Sequence, residues 1–147
     1  MGEKKVARIR SGWFTFDHIA DIGVRGIGES LEEAFENGAK ALFSLLVDDI
    51  SSIERKITRQ VKCQSFDEVG LFVAWLNTLL AMSDLHTEVY NSFSVKISGL
   101  ELSAEIMGEP WDKNKHGIGI EVKGATFSEA KVIKKHGFYI AQCIVDV

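Results

Sequence analysis

Apolar residues recur along this chain in two different rhythms. From 31 to 46, Leu31, Ala34, Phe35, Leu42, Phe43, Leu45 and Leu46 return at helical spacing behind Ser30 and Glu33, which stand at the separation of a capping box. Asn37 and Gly38 interrupt that helix with turn-favouring residues. A second capping box, Ser65 with Glu68, predicts a second helix through Leu80, whose apolar face holds Val69, Phe72, Val73, Leu76, Leu79 and Leu80. Elsewhere the period is that of strands: 13–16, 22–27, 56–64 with Ile57, Val61 and Cys63 facing inward, then 93–97, 102–107, 118–123, 130–134 and 139–145. Gly99, the loop 110–115 and His136-Gly137 break the later strands, so the second half reads as an antiparallel meander. The fold class predicted is α+β, with two long helices packed on a mixed, mainly antiparallel sheet. Because each helix follows a strand and a Ser-x-x-Glu start, a duplicated strand-helix unit is one option, although any two capped helices would look alike.

Composition narrows the setting. A length of 147 residues, 46% of them hydrophobic, suits one core, and the single Pro110 with no low-complexity run marks no boundary, so residues 1–147 are expected to form one domain. The polar stretch 1–8 lacks the apolar centre of an export signal, and Val6 spoils the myristoylation pattern. The apolar runs 42–47 and 71–82 are interrupted by polar residues and read as short of a membrane span. Cys63 and Cys143, far apart and in strand-like segments, read as buried free thiols. Together these predict a cytoplasmic protein with no membrane partner. A net charge of −4 argues against holding nucleic acid by bulk electrostatics. The basic segment Lys4, Lys5, Arg8 and Arg10 is the local exception and reads as a solvated arm.

Most familiar chemistries find no support. Gly26-Ile27-Gly28 before a helix, with Asp48 further on, resembles a dinucleotide fingerprint, but Leu31 replaces the third glycine and Glu29 would repel a phosphate. No serine lies in a nucleophile elbow, and His18, His86, His116 and His136 show no zinc-binding helix spacing. Oxygen ligands remain. Asp17-His18-Ile19-Ala20-Asp21 sets two carboxylates and an imidazole between strands, with Gly23 where a turn would need it. On spacing alone, Asx-turn capping and ion binding are equally supported. The terminal stretch 140–145 runs as an apolar strand straight into Asp146 and Val147, which would fix a main-chain carboxylate beside the Asp146 side chain. Crowded anionic oxygens raise a pKa or recruit a hard cation such as Ca²⁺ or Mg²⁺. Glu109, Asp112 and His116 form a second polar cluster, read equally well as an ordinary exposed loop.

Several stretches together resemble the archease family: Asp17 to Asp21, Ser30 to Phe35, Trp75 to Leu80, Gly108-Glu109 with Asp112 through His116, Glu121 to Thr126, and the terminal Val145-Asp146-Val147. Ile19 stands where the family usually has threonine, and Gly124 where it usually has alanine. The resemblance implies an accessory protein, not an enzyme, that activates an RtcB-type tRNA-splicing RNA ligase by promoting guanylylation of a ligase histidine by GTP and multiple turnover. It implies metal ligands at Asp21, Asp146 and Val147, holding a hard divalent cation, Ca²⁺ first with Mg²⁺ or Mn²⁺ as alternatives. Asp17, His18, Glu109, Asp112 and His116 would support that site or contact the partner. The partner expected is the ligase, with tRNA met only through it. Two other readings fit the same carboxylates: a metal-dependent phosphoester hydrolase acting alone, and a chaperone-like adaptor for RNA-modifying enzymes.

Overall fold

The computed structural model describes residues 9–147; Lys4, Lys5 and Arg8 of the basic segment lie outside the described residues. Strands β1 (Gly12–His18) and β2 (Asp21–Gly28) form a hairpin leading into helix α1 (Leu31–Leu46), and β3 (Ile57–Gln64) leads into α2 (Glu68–His86). The hairpin β4 (Glu88–Ser98) and β5 (Glu101–Pro110) follows, then the single-turn helix α3 (Lys113–His116), the short β6 (Gly124–Ala125), β7 (Lys131–Lys135) and β8 (Phe138–Asp146). The predicted α+β class with two long helices holds, and every strand pairing is antiparallel. The strands divide between a five-stranded sheet, in which β8 joins β2 to β6 and β7, and a three-stranded sheet ordered β3-β5-β4. Helix α1 packs on β2 and on β4, while α2 touches strands of both sheets, so the helices form a layer between two sheets. The two strand-helix stretches are present in sequence, but β2 and β3 belong to different sheets.

That middle position explains the helices' composition. Helix α2 is apolar on nearly all sides rather than amphipathic, as a helix covered on both faces must be. Its full length and apolarity would pass for a membrane span, which the shorter run 71–82 did not. Here Leu71, Phe72, Trp75, Leu76 and Leu79 are wholly buried in the shared core. The Trp75 indole N–H donates to Phe35 O at 3.0 Å, and the Phe35 and Phe72 rings meet edge-on at 5.1 Å, locking the helices together.

Close approach replaces the nucleotide fingerprint at Gly26 and Gly28. A Cβ on Gly26 would lie 2.0 Å from Ala34 O and 2.3 Å from Gly38 N, and one on Gly28 would lie 2.6 Å from Ala34 N. These glycines let α1 lie directly on the backbone of β2. Asn37 and Gly38, the interruption in the helical pattern, serve the packing of α1 on its two neighbours, Asn37 toward β2 and Gly38 toward α2. Asn37 Nδ2 donates to Ile27 O at 2.8 Å, and a Cβ on Gly38 would meet the Phe72 ring at 2.5 Å.

Element ends differ from expectation where side chains compete. Ser30 caps α1 as predicted, accepting from Glu33 N at 3.1 Å, while Glu33 Oε1 accepts from Glu29 N. At α2 the cap is Asp67, not Ser65: Asp67 Oδ1 accepts from Gly70 N at 2.6 Å. Helix α2 continues past Leu80 to His86, where no residue is buried, and stops at Thr87, whose left-handed backbone (φ +52°) turns its N–H back to Ser83 O. The predicted strand 118–123 is absent. Gly119 N and Ile120 N donate instead to Leu46 O and Leu45 O, satisfying the orphan carbonyls at the end of α1.

Gly26→Ala is expected to destabilise the protein by about 1–3 kcal/mol through backbone overlap, read as a lower urea midpoint at unchanged slope. Gly99→Ala should cost only about 1 kcal/mol, since Gly99 has φ +62° but nothing within 4 Å of its missing Cβ.

Candidate functional site

The β1–β2 and β2–β8 ladders place Asp21 and Asp146 at the same end of one sheet. His18 pairs with Asp21 across the hairpin, and Ile22 pairs with Val145. One further step of the second register sets Asp21 opposite Asp146, which itself pairs with Gly124 of β6. Opposed residues of an antiparallel ladder share a face, so His18, Asp21 and Asp146 form a row across one sheet end. This is the face away from α1, because Gly26, on the other parity of β2, is the residue that meets the helix. Asp17 pairs with Ile22 and therefore projects from the opposite face. The hairpin thus separates the two aspartates that the five-residue spacing seemed to group.

The last strand is anchored at this end. Lys123 N donates to Asp146 O at 2.7 Å, and Val147 packs against the main core while Asp146 is exposed. The His18 Nε2 lies 4.0 Å from Glu129 Oε1, an ion pair only when the imidazole is protonated. Its Nδ1 is buried with no hydrogen-bond partner among the described residues. Among the described residues, no three His, Cys, Asp or Glu side chains gather closely enough to enclose an ion. The predicted set supplies two side-chain carboxylates, its third donor being a main-chain group. Its chemistry suits a hard cation in an open site, and the orphaned His18 nitrogen on the same row marks a place for a further ligand or water.

Gly23 is not a turn residue. It lies in β2 opposite Phe16, and a Cβ there would fall 2.0 Å from the Phe16 ring. That ring also carries the Arg25 guanidinium at 4.6 Å, and Arg25 Nε donates to Gln142 Oε1 at 2.8 Å, tying β1, β2 and β8 together behind the carboxylate row. The actual turn is Ile19-Ala20, with Ile19 at φ +47° and 100% exposed. A β-branched residue in that region is strained and gains nothing from burial here. The Gly124 departure is benign, since an alanine Cβ would sit 3.4 Å from Asn77 Oδ1. Asn77 and Glu129 were missed by sequence reasoning. Asn77 clamps Ala125 from both sides, accepting from its N–H at 2.9 Å and donating to its carbonyl at 3.1 Å. Its only signal is an amide in an apolar helix.

Glu109, Asp112 and His116 do not join this row. Glu109 belongs to β5 of the other sheet and, with His116, is buried at 3% and 1% exposure rather than lying on an open loop. The Asp112 N–H donates to His116 Nδ1 at 2.9 Å, which leaves Nε2 to donate to Glu109 Oε2 at 3.0 Å. Glu109 also accepts from Glu54 N at 2.6 Å and from Lys115 Nζ at 2.9 Å. Burial alone would raise its pKa; the Glu54 amide, Lys115 and His116 outweigh this and hold it down at about 2. The cluster is closed on itself, with Asp112 capping α3 by accepting from Asn114 N. Neither cysteine is poised to react: burial pushes the Cys143 thiol up to about 12 and raises that of the half-buried Cys63.

The comparisons with known proteins agree with this architecture. Residues 13–147 match the Archease protein family. Protein archease of Pyrococcus abyssi is 39% identical over 140 residues, spanning 92% of this chain and 98% of that one. Protein archease of Sulfurisphaera tokodaii is 38% identical over 134 residues, spanning 90% and 96%. The solution structure of Methanobacterium thermoautotrophicum protein 1598 superposes with a TM-score of 0.77 at 31% identity, covering 92% of this chain and 99% of that one. A Thermotoga maritima archease described as a possible chaperone shares the fold, with a TM-score of 0.63 at 17% identity over 97% of this chain.

Ile19→Gly should raise stability by up to about 1 kcal/mol by relieving left-handed strain, seen as a higher thermal midpoint. The Glu109 pKa falls from an ordinary 4.5 to about 2 on folding, so its stabilisation is complete above pH 4.5 and is lost as pH falls toward 2. Urea midpoints measured across that window should fall more steeply for the wild type than for Glu109→Gln, which should start less stable at neutral pH.

Proposed function

The chain belongs to the archease family, and from that premise we propose that it is an accessory protein of an RtcB-type RNA ligase rather than an enzyme. The observation that carries the reading is the row His18, Asp21 and Asp146 at an open sheet end, beside an anchored Val147. Asp21, Asp146 and Val147 would hold a hard divalent cation, Ca²⁺ first, with His18 beside it. Asp17, on the other face, would be left to contact the partner. Such an ion supplies charge neutralisation and open coordination positions, because three protein groups underfill its usual shell. The carboxylate end would dock on the ligase, and its oxygens would help position the ligase's GTP and histidine nucleophile. Phosphoryl and nucleotidyl transfers depend mainly on positioning and charge compensation, so a helper can accelerate one without chemistry of its own. In this reading tRNA is met only through the ligase, and the complex works in the cytoplasm.

Asp146 is exposed and makes no side-chain hydrogen bond among the described residues, so its loss should spare the fold. Asp146→Ala is expected to abolish stimulation of ligase guanylylation while leaving circular dichroism and melting unchanged; full stimulation by the folded variant would overturn the proposal. A broader chaperone-like role, in keeping with the description of the Thermotoga maritima relative, differs in its partners. It would be favoured by capture of several RNA-modifying enzymes in addition to the ligase. Turnover of RNA phosphate ends by the isolated protein would favour a hydrolase instead.

A further inference from the structure

A concave site lies at the carboxyl end of α2. It is a cleft of about 370 Å³, within the size range of small-ligand sites. Buried Leu80 and Val89 with half-buried Val122 give it an apolar lining, and exposed Asp84, Glu121 and Trp111 give it a polar and aromatic one.

Each part favours the same kind of guest. Among the described residues, no lysine or arginine lines the cleft. Glu88, which also borders it, is already neutralised: Arg59 grips it with Nε at 2.7 Å and Nη2 at 2.9 Å, and the Tyr90 hydroxyl donates to it at 2.8 Å. Asp84 and Glu121 have no hydrogen-bond or ion-pair partner among the described residues, so the uncompensated charge is theirs. Asp84 lies in the last turn of α2, where the aligned peptide dipoles add negative potential. The Trp111 ring is held in place, since its indole N–H donates to Gly117 O at 3.0 Å and its backbone N–H to Thr87 O at 2.9 Å. With its one polar atom engaged, the indole brings only aromatic carbon surface to the cleft it lines, and an indole ring is a good partner for a cation.

A hydrated divalent metal would gain nothing from the apolar lining or the indole. We propose that this cleft binds a small aliphatic amine, its ammonium group held by Asp84, Glu121 and Trp111 and its hydrocarbon chain lying on Leu80, Val89 and Val122. The proposal shares no ligand with the proposed cation row and does not depend on the ligase reading.

The test is a titration of ¹⁵N-labelled full-length protein with 1,4-diaminobutane, and in parallel with the uncharged 1,4-butanediol, at constant ionic strength. The diamine should give saturable shifts at the Trp111 indole N–H and at the Thr87, Glu121 and Val122 amides, and the diol none. Asp84→Asn combined with Glu121→Gln should weaken diamine binding at least about tenfold, with the rest of the spectrum unchanged. Shifts that fail to saturate, that the diol reproduces, or that the double variant retains at full affinity would each overturn the proposal. Should the double variant misfold, the diamine-against-diol comparison on the wild type still decides it.

Discussion

Helix α1 rests on strand β2 with backbone against backbone, a contact possible only because Gly26 and Gly28 carry no Cβ. The approach is tight enough for Asn37 to reach the Ile27 carbonyl from within the helix. Everything else is set around it. With α1 so close to the five-stranded sheet, its other side reaches β4, and α2 fills the remaining interlayer space with side chains apolar in nearly every direction. The same contact holds β2 at the centre of its sheet, where it pairs with β1 on one side and β8 on the other. The alignment of His18, Asp21 and Asp146 follows from those two ladders.

The polar groups fall into two kinds with opposite character. Glu109, His116 and Lys115 are turned inward on one another, and the carboxylate is held ionised by donors that surround it. Such a cluster rigidifies the turn after β5 and leaves little to offer a partner. Asp21 and Asp146, by contrast, stand at an open sheet end with few internal donors, next to an imidazole whose Nδ1 is unsatisfied. An arrangement that leaves charge uncompensated inside the molecule is suited to being completed from outside it. The cleft beside Trp111 has the same open character.

Local patterns carried some elements and misled on others, for reasons that can be traced to particular residues. Ser30 and Glu33 cap α1 as their spacing implies, but Ser65 yields to Asp67, which is closer to the helix start and accepts from Gly70. The alternation of 118–123 looked like a strand, yet those amides turn to the carbonyls ending α1, a demand that appears only once the helix is packed beside them. Gly23 looked like a turn residue and is instead the floor beneath Phe16. The metal-ligand set came from family resemblance, and no side-chain cluster among the described residues encloses an ion.

The sequence by itself determined the α+β character, the two long helices, most strands and the acidic identity of the sheet end. These depend on periodicity and residue chemistry, which are local and additive along the chain. Only the tertiary structure decided that the strands divide into two sheets with the helices between them. It also decided that Asp17 leaves the face that Asp21 shares with Asp146, and that Glu109 and His116 are buried rather than exposed. Those outcomes turn on register, where a shift of one residue exchanges the two faces of a strand, and on packing between segments far apart in sequence. Neither quantity is written in the spacing of any one segment.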